Sequence, residues 1–582
     1  MEGLFVTNAI LTRLSGAMLH EHYASGFWQD ETVYALTRRH AEAAPARPAV
    51  RDRLHRHGYQ QLIEMADRLA AQLEAAGVRV GERVAAWLPS RFETVVALLA
   101  CSRNRYVFCP SLHRSHTTAE IIELLNRVRA TAFIGEIGFG ADADRHTVMD
   151  AIKEVKTLKF VSMLPPLGRE NGSGPWPGSV AEGDGNASPP APGRDANTLL
   201  YLAFTSGTTG QPKGVMHSDN TLLANSRAMA ADWNLDSKSV IYTLSPLSHN
   251  LGVGAMITSL LIGSELVVHD LPSGSSVVER IGEVGATYLV GVPTHANDLL
   301  RELETISADH LRTLKGFRIS GAPAPRHIVE KLLSHGIVPQ SGYGMTEACS
   351  HHYTLPTDDP ELIVDSSGRC CPGYAIKVWS SDDPNVEVPP RTIGQIGGRG
   401  ASLMLGYFDD QQATEDSFNR TGWFMTGDLG WVDENGYVRI TGRKKDVIIR
   451  GGHNIYPARI ESLAMRHKAI QLVAALPVAD ERLGEKVCVA FMLREGHTLA
   501  LDQLLAHLDN EGLSRFDMPE YLVEVSDMPV TPSGKVLKRS LVDQIQAGTL
   551  VPIAVRWTRT GASAAPGMNG HQQAQRPGDG SP

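Results

Sequence analysis

The stretch from Tyr201 to Asn220, YLAFTSGTTGQPKGVMHSDN, constrains the fold of this chain more than any other segment. An apolar run, typical of a buried strand, leads into a loop that contains glycines, hydroxyl side chains and Lys213. Glycines let the backbone bend close to a ligand, and hydroxyls together with free N–H groups are donors that suit phosphate oxygens. The loop does not end in Gly-Lys-Ser/Thr, so it is not a Walker phosphate loop. By composition alone it could equally be an ordinary surface turn.

Four further segments follow in the chain, each with a distinctive sequence. They are QSGYGMTE (Gln340 to Glu347), TGD (Thr426 to Asp428), GRKKDVIIRGGHNIYP (Gly442 to Pro457) and PSGK (Pro532 to Lys535). Together with the loop, and in the same order, they resemble the motifs of the adenylate-forming superfamily. That superfamily includes acyl-CoA synthetases, aryl-acid ligases, luciferases and nonribosomal adenylation domains. The resemblance covers roughly residues 30 to 545 and is closest in look to medium-chain or cyclohexanecarboxylate-type acyl-CoA ligases.

The length of 582 residues predicts at least two domains. Strand and helix patterns alternate between His57 and Cys109, which predicts a parallel sheet covered by helices on both faces. We therefore expect an α/β fold: a large N-terminal domain of parallel-rich sheets layered with helices, and a small mobile α+β C-terminal lid. The predicted boundaries are 1–444 for the adenylation core, 445–556 for the lid and 557–582 for a disordered tail. A segment rich in Gly, Pro and Ser, about 170–196, is predicted to be an exposed loop.

Charge and composition exclude several classes of protein. The formal net charge is −9 and no long run of Lys or Arg is present, which argues against a nucleic-acid partner. The first residues lack a basic start followed by an unbroken apolar core, so no signal peptide is predicted. The longest apolar stretch, Leu251 to Val268, is too short and too polar to cross a membrane. Six cysteines without a CxxC pair fit free thiols, so we expect a cytoplasmic enzyme. Whether it forms a homodimer stays open.

The resemblance implies a two-step reaction. A carboxylate attacks the α-phosphate of ATP to give an acyl adenylate and pyrophosphate, and the acyl group then passes to CoA. Because two anions must meet in the first step, cationic groups and directed donors are required. By analogy, Lys535 is the leading catalytic residue and reaches from the lid to the carboxylate and the α-phosphate. Thr346 is expected to contact the α-phosphate, and Glu347 to bind Mg²⁺ as a hard oxygen ligand.

The family also implies the remaining nucleotide contacts. The residues expected on the β- and γ-phosphates are Thr205, Ser206, Gly207, Thr208, Thr209, Gly210 and Lys213. Those expected around the adenine are Gly321, Ala322, Pro323, Tyr343 and Gly344. Asp428, as an acceptor-only carboxylate, is expected on the ribose hydroxyls, with Arg443 on the ribose or its phosphate. Two side chains keep an alternative: Lys213 as a solvated lysine and Tyr343 as a core residue.

The small carboxylic acid substrate and CoA have their own candidates. His249, in the sequence PLSHN, matches a position that lines or gates the acyl tunnel in relatives. The expected pocket residues are His249, Asn250, Gly252, Val292 and Cys349. Lys445 occupies the position of the hinge between the two half-reactions, and Gly451 with Gly452 would border the pantetheine channel of CoA.

Two departures and two alternatives accompany this interpretation. His453 stands where many relatives have Glu, and Arg459 also departs from the family pattern, so the acceptor is less well defined than adenylation. His249 followed by Asn250 is also found in aryl-acid ligases that activate hydroxybenzoates. The substrate would then be an aromatic acid, and the acceptor a carrier-protein thiol or a nitrogen nucleophile. A catalytically inactive nucleotide-binding regulatory relative is the second alternative, and the retained Lys535 argues against it.

Overall fold

The computed structural model describes residues 12–168, 191–205, 212–321, 324–531 and 535–557. Most of the predicted exposed loop at 170–196, and all but the first residue of the predicted tail at 557–582, lie outside the described residues. The chain divides into two compact units. The first unit comprises Met1–Val447 together with Pro529–Leu537, and the second comprises Ile448–Met528 together with Lys538–Pro582. The segment that contains Lys535 therefore groups with the first unit rather than with the lid in which the sequence places it.

The first unit alternates strands and helices along most of its length. Its strands are β1 (Pro48–Arg51), β2 (Arg56–Gly58), β3 (Arg83–Trp87), β4 (Val107–Cys109), β5 (Ala130–Glu136), β6 (Phe160–Leu164), β7 (Leu199–Thr205), β8 (Lys213–Ser218), β9 (Val240–Thr243), β10 (Glu265–Val268), β11 (Tyr288–Gly291), β12 (Gly316–Ile319), β13 (Val338–Met345), β14 (Cys349–Tyr353), β15 (Arg369–Cys370), β16 (Tyr374–Trp379), β17 (Gly394–Gly400), β18 (Gly406–Tyr407), β19 (Phe424–Val432) and β20 (Val438–Arg443). Its helices are α1 (Gly16–Ala24), α2 (Val33–Ala43), α3 (Tyr59–Ala75), α4 (Phe92–Asn104), α5 (Thr118–Arg127), α6 (Val148–Ala151), α7 (Asp219–Asp232), α8 (Asn250–Ile262), α9 (Val277–Val284), α10 (Pro293–Glu302), α11 (Arg326–Ser334), α12 (Pro360–Asp365) and α13 (Gln411–Asp416).

Three sheets organise these strands. The first sheet has the order β15-β14-β13-β12-β11-β9-β10-β1-β2, and the second has the order β18-β8-β7-β4-β3-β5-β6. Both are parallel through their centres. The first sheet is antiparallel at both edges, and the second is antiparallel at its β18 edge and parallel at its β6 edge. The third sheet, β16-β17-β19-β20, is antiparallel. This layered, parallel-rich arrangement confirms the predicted α/β class.

Apolar periodicity accounts for the helices that cover the sheets. In α3, Leu62, Met65, Leu69 and Leu73 recur at helical spacing and are all buried. Helix α8 is apolar on nearly every side because it is enclosed by the unit, and it ends at Gly263, whose positive φ of 73° suits a glycine cap. The apolar stretch Leu251 to Val268 forms most of α8 and all of β10.

The second unit is a small α+β assembly. Its strands are β21 (Ile448–Arg450), β22 (His453–Ile455), β23 (Ile470–Asp480), β24 (Gly484–Leu493), β25 (Tyr521–Glu524) and β26 (Ile553–Ala554), and its helices are α14 (Pro457–Ala464), α15 (Leu501–Asn510) and α16 (Lys538–Gln546). The strands run in the order β22-β21-β24-β25-β26, and β23 also pairs with β24. Its apolar core, which includes Ile460, Val489 and Leu504, is separate from the clusters of the first unit.

All six cysteines are free thiols. Five of them are buried and Cys370 is half-buried. Cys488, in β24, belongs to the second unit, and the other five belong to the first. In the described ranges, no helix is long and apolar enough to cross a membrane.

Candidate active site

The phosphate loop connects two antiparallel strands of the second sheet. Thr205 at the end of β7 pairs with Lys213 at the start of β8, so the loop ends meet. The predicted phosphate contacts Ser206, Gly207, Thr208, Thr209 and Gly210 lie outside the described residues and stay predictions. The Lys213 ammonium lies 4.6 Å above the centre of the Tyr407 ring, a cation–π contact that keeps it near the loop. Lys213 is therefore not a freely solvated side chain.

Glu347 and Thr346 stand immediately after β13, in a single 3-10 turn that spans Thr346–Ala348. The Tyr407 hydroxyl donates to Glu347 Oε1 at 3.0 Å, and buried His217 donates from Nε2 to the Thr346 carbonyl at 2.7 Å. Burial raises the pKa of Glu347, while the Tyr407 hydrogen bond and the positive charges of Arg443 and Lys213 act against that rise. The carboxylate is thus fixed by a phenol, with cations near enough to favour its charged form.

Asp428 and Arg443 face each other across β19 and β20 in the third sheet. Arg443 Nε lies 3.2 Å from Asp428 Oδ1, and the Tyr343 hydroxyl donates to Asp428 Oδ2 at 2.8 Å. Burial raises the pKa of Asp428, and Arg443 opposes that rise most strongly. Tyr343 also packs against Ile396 and Val438. The ring of Tyr343 therefore lies in the core and its hydroxyl reaches the expected ribose acceptor, while its place around the adenine stays a prediction.

Lys535 lies beside the loop that follows β12. A Cβ built on Gly321 would be 4.0 Å from Lys535 Cε and 3.4 Å from Val292 Cγ1, and the φ of Gly321 is +94°. The backbone of Lys535 is tied to Thr531 by hydrogen bonds in both directions, of 2.7 and 3.1 Å. The Lys535 residue as a whole is exposed, but protein atoms near its ammonium group partly desolvate that group. This desolvation first, and Arg443 second, lower its pKa, while Asp428 and Glu347 act in the opposite direction. Ala322 and Pro323 lie outside the described residues.

His249 caps the N-terminus of α8. Its Nδ1 accepts the Leu251 N–H at 3.3 Å, so the neutral ring carries its proton on Nε2. Burial, followed by the charge of Lys535, lowers the pKa of His249 to about 4, which leaves the ring neutral near pH 7. The result is a neutral N–H donor within electrostatic range of the Lys535 ammonium.

Two of the expected glycines allow neighbouring backbone segments to approach closely. A Cβ on Gly252 would lie 2.2 Å from the Pro246 carbonyl oxygen, and one on Gly344 would lie 2.2 Å from the Cys349 carbonyl oxygen. Both positions therefore require glycine for close backbone approach. Cys349 has a positive φ of 55°, and burial raises its pKa to about 12, so its thiol is not a nucleophile here. Asn250 is half-buried at the first position of α8.

Three expected residues lie in exposed turns. Lys445 is exposed in a 3-10 turn, Lys444–Asp446, after β20. Gly451 and Gly452 form the two-residue turn between β21 and β22 in the second unit, with φ of +56° and +85°. Positive φ at both positions is the backbone of a type I′ hairpin turn, which explains the glycine pair without reference to CoA. The departure His453 pairs with Asp517 at 2.9 Å within the same unit.

Several residues of the site were not found from the sequence. Tyr407, which lies outside the motifs, bonds to Glu347, and His217, which lies in the Tyr201–Asn220 stretch without an expected role, bonds to Thr346. The paired histidines His351 and His352 are fully buried, and Cys370 Sγ lies 3.0 Å from His352 Nε2. No group of three or more metal-binding side chains occurs in the described part of the chain. One signal in the sequence could have been used: Arg318 interrupts the apolar strand pattern of β12.

Carboxyl ends of parallel strands bring these parts together. His249, Val292, Gly321 and Thr346 follow β9, β11, β12 and β13, which are neighbours in the first sheet. Ligands of open α/β sheets bind at such an edge. A cation, a neutral donor, one buried carboxylate and one half-buried carboxylate thus gather where a nucleotide and a second anion could be held together.

Comparison with known proteins gives consistent matches. Residues 37–408 match the family of AMP-binding enzymes, and residues 459–535 match the AMP-binding enzyme C-terminal domain. The medium-chain fatty-acid–CoA ligase of Escherichia coli K12 is 32% identical over 520 residues, with 88% of this chain and 90% of the relative covered. The indoleacetate–CoA ligase of Aromatoleum aromaticum is 31% identical, with 86% and 95% covered. Among solved structures, ATP-bound MatB from Rhodopseudomonas palustris superposes with a TM-score of 0.77 at 28% identity, covering 88% of this chain and 99% of MatB.

Proposed function

Because the chain belongs to the AMP-binding enzyme family, we propose that its site activates a carboxylic acid with ATP and passes the acyl group to CoA. The matches confirm the expected family and the expected class of enzyme, an AMP-forming carboxylate–CoA ligase. The observation that carries the assignment to this site is the position of Lys535. Its ammonium is beside Gly321, within electrostatic range of Asp428, Glu347 and His249.

Adenylation requires that two anions, the acid and the α-phosphate, approach each other. Lys535 supplies positive charge at that point, and the desolvation that lowers the pKa of its ammonium supports direct contact with these anions. Neutral His249 donates from Nε2, so it can bind an anionic oxygen without adding a second charge next to Lys535. Each of the two groups lies within electrostatic range of the other, which supports a shared role toward the reacting oxygens.

We assign the positioning of the nucleotide to the side chains around Asp428, Lys213 and Glu347. Asp428, held by Arg443 and Tyr343, presents carboxylate oxygens for the ribose hydroxyls. Lys213, stacked on Tyr407, is available for the outer phosphates. Glu347 would hold Mg²⁺, since it offers a hard oxygen beside Thr346 and no described cation lies within ion-pair distance of it. When bound, that ion would neutralise phosphate charge.

Thioester formation is assigned to the Gly451–Gly452 turn, which would border the pantetheine arm of CoA. The proposal rests on the sequence motif and on relatives whose names are those of CoA ligases. Lys445 is proposed as the hinge that changes between the two half-reactions. The first experiment distinguishes CoA from a carrier-protein thiol as the acceptor of the acyl group.

The test is mass spectrometry of products formed from a panel of carboxylic acids with ATP and Mg²⁺, with and without CoA. We expect thioesters only when CoA is present. Lys535→Ala should lower acid-dependent ATP–pyrophosphate exchange by about 100-fold or more, as loss of one charge-stabilising group does, while ATP still binds. Lys331→Ala, at an exposed position of α11, is the matched control. Adenylates that ignore CoA would point to another acceptor, and exchange by Lys535→Ala at the wild-type rate would overturn the assignment.

An aromatic acid is the second candidate substrate. Asn250, half-buried and adjacent to His249, supports it because an amide there could bond a ring hydroxyl. Asn250→Ala should then reduce kcat/KM for hydroxybenzoates and leave that for unsubstituted benzoate unchanged. Equal kcat/KM for both acids before and after the substitution would exclude this use of Asn250.

A further inference from the structure

Tyr407, at the end of β18, contacts two oppositely charged side chains of the candidate site. Its hydroxyl donates to Glu347 Oε1 at 3.0 Å, and the Lys213 ammonium lies 4.6 Å from the centre of its ring. Among the described residues, no other side chain donates a hydrogen bond to the Glu347 carboxylate. One phenol therefore contacts both the carboxylate expected at the metal and the lysine expected at the outer phosphates.

The backbone of Tyr407 is anchored on two sides. Tyr407 pairs with Val215 in β8, the strand that begins at the phosphate loop, and the Phe408 N–H donates to the Gly214 carbonyl at 2.7 Å. On the other side, the Tyr407 N–H donates at 2.9 Å to the hydroxyl of Thr414, which is buried. Tyr407 is itself buried. Because its own position has little freedom, this side chain can orient the groups that it contacts.

The segment before Tyr407 also holds the turn that carries Glu347. The Met404 N–H donates to the Glu347 carbonyl at 2.7 Å, and the Leu405 N–H donates to the Met216 carbonyl in β8 at 2.8 Å. Residues 404–408 are thus bonded to the 3-10 turn of Glu347 and to the start of β8. Backbone hydrogen bonds therefore fix where Tyr407 stands relative to both charged side chains.

The two charged groups do not pair with each other. Lys213 and Glu347 lie within electrostatic range, yet in the described part of the chain neither forms an ion pair. A direct pair would engage the lysine that phosphates need and the carboxylate that a cation needs. Tyr407 favours the separated arrangement, because the negative face of its ring attracts the ammonium and its hydroxyl donates to the carboxylate.

We propose that Tyr407 is a positioning residue that keeps Lys213 and Glu347 apart. ATP that arrives with Mg²⁺ then meets a free cation for its outer phosphates and a free carboxylate for the ion. This inference rests on the proposed function. The hydroxyl serves Glu347 and the ring serves Lys213, so substitution can separate the two effects. Tyr407→Phe removes only the hydroxyl, whereas Tyr407→Leu removes both contacts.

Calorimetric titration with ATP, in excess Mg²⁺ and in EDTA, tests this inference without relying on turnover. We expect the wild type to bind ATP more tightly in Mg²⁺. Tyr407→Phe should raise the dissociation constant in Mg²⁺ by about tenfold, as loss of a group that orients a metal ligand does. Its dissociation constant in EDTA should stay at the wild-type value. Tyr407→Leu should raise the dissociation constant in EDTA as well, by about threefold, because the cation–π contact is lost.

A double-substitution cycle shows whether the hydroxyl acts through the carboxylate. Glu347→Gln should weaken ATP binding in Mg²⁺, and adding Tyr407→Phe to it should cause no further loss. Independent losses would overturn the inference. Wild-type affinity of Tyr407→Phe in Mg²⁺, or equal affinity of the wild type in Mg²⁺ and in EDTA, would also overturn it. Because Tyr407→Phe preserves the ring, this cycle decides the question even if Tyr407→Leu does not fold.

Tyr34 provides a matched control outside the candidate site. Its hydroxyl donates to Asp67 at 2.6 Å and Arg103 Cζ lies 5.7 Å from its ring centre, so it also contacts an anion and a cation. Tyr34→Phe and Tyr34→Leu should leave both dissociation constants unchanged. Losses equal to those of the Tyr407 variants would assign the effect to general destabilisation and overturn the inference. Failure of the wild type to bind ATP in either solution would instead overturn the proposed function.

Discussion

At the scale of single residues, the surroundings of the site raise the pKa of its carboxyl groups and lower the pKa of its lysine. Burial raises the pKa of both Glu347 and Asp428, whereas desolvation and Arg443 lower the pKa of Lys535. Adenylation as proposed needs the two carboxylates ionised and the lysine protonated. His249 stays neutral across this range because its pKa is about 4.

The pH profile of kcat/KM for adenylation should therefore be narrow. As the pH falls, activity should decline at a higher pH than for an ordinary carboxyl group, because the carboxylate pKa values are raised. As the pH rises, activity should decline at a lower pH than for an ordinary lysine. Lys535→Arg should move the alkaline decline upward, since guanidinium keeps its proton. An alkaline decline at the same pH in this variant would show that another group controls it.

From the sequence, residues of the candidate site can be named where a motif marks a backbone shape, but not where the partner comes from elsewhere in the chain. Asp428 and Arg443 could be named because their segments are distinctive. The bond from Tyr343 to Asp428 depends on how the first and third sheets pack. The contact of Lys213 with Tyr407 depends on the pairing of β8 with β18, a strand far along the chain, and no local pattern encodes either contact. The roles proposed for these residues toward ATP and CoA stay predictions.

At the scale of elements, α8 begins at residues proposed for the acyl pocket and continues into the core of the first unit. Its first turn approaches the preceding loop so closely that Gly252→Ala would place a methyl 2.2 Å from the Pro246 carbonyl oxygen. Because the obstacle is backbone, relief requires a shift of the helix start and therefore of His249. We expect a loss of about 1–3 kcal/mol in unfolding free energy and lower adenylation activity. Gly254→Ala, in the same helix with open space at its Cβ, is the control.

Elements were also predictable to different degrees. Helix α3 and helix α15 could be located because their apolar residues repeat at helical spacing over two or more turns. Short strands such as β15 and β18 have no such period and exist only because a neighbouring strand pairs with them. The grouping of Pro529–Leu537 with the first unit could not be read from the sequence, since it depends on tertiary contacts rather than on local pattern.

The Gly451–Gly452 turn permits a separate test of the second half-reaction. Gly452→Ala places a side chain on a residue with a φ of +85°, which costs about 1 kcal/mol. If this turn borders the pantetheine arm, thioester formation should fall while pyrophosphate exchange is retained. Gly496→Ala carries the same backbone strain in another turn of the second unit, with open space at its Cβ. Equal thioester rates in the two variants would assign the effect to strain alone.

At the scale of the whole molecule, the hinge proposed at Lys445 lies where the chain passes from the first unit to the second. Lys445 is exposed just before the division at Val447, in a 3-10 turn. Lys445→Pro fixes φ and restricts the residue before it. We expect thioester formation to fall by about tenfold or more, with pyrophosphate exchange unchanged. Lys445→Ala should retain both reactions, and a similar loss of exchange in the proline variant would contradict the hinge role.

Two buried cysteines, one in each unit, allow the stabilities of the two units to be compared. A buried thiol reacts with an alkylating reagent only after the surrounding structure opens, so its rate of labelling measures the free energy of that opening. Cys488 reports on the second unit, and fully buried Cys101 reports on the first. Mass analysis of labelled peptides would therefore read both units in one sample. Labelling of Cys488 ahead of Cys101 would mean that the second unit opens while the first stays folded, and simultaneous labelling would mean that the chain opens as one.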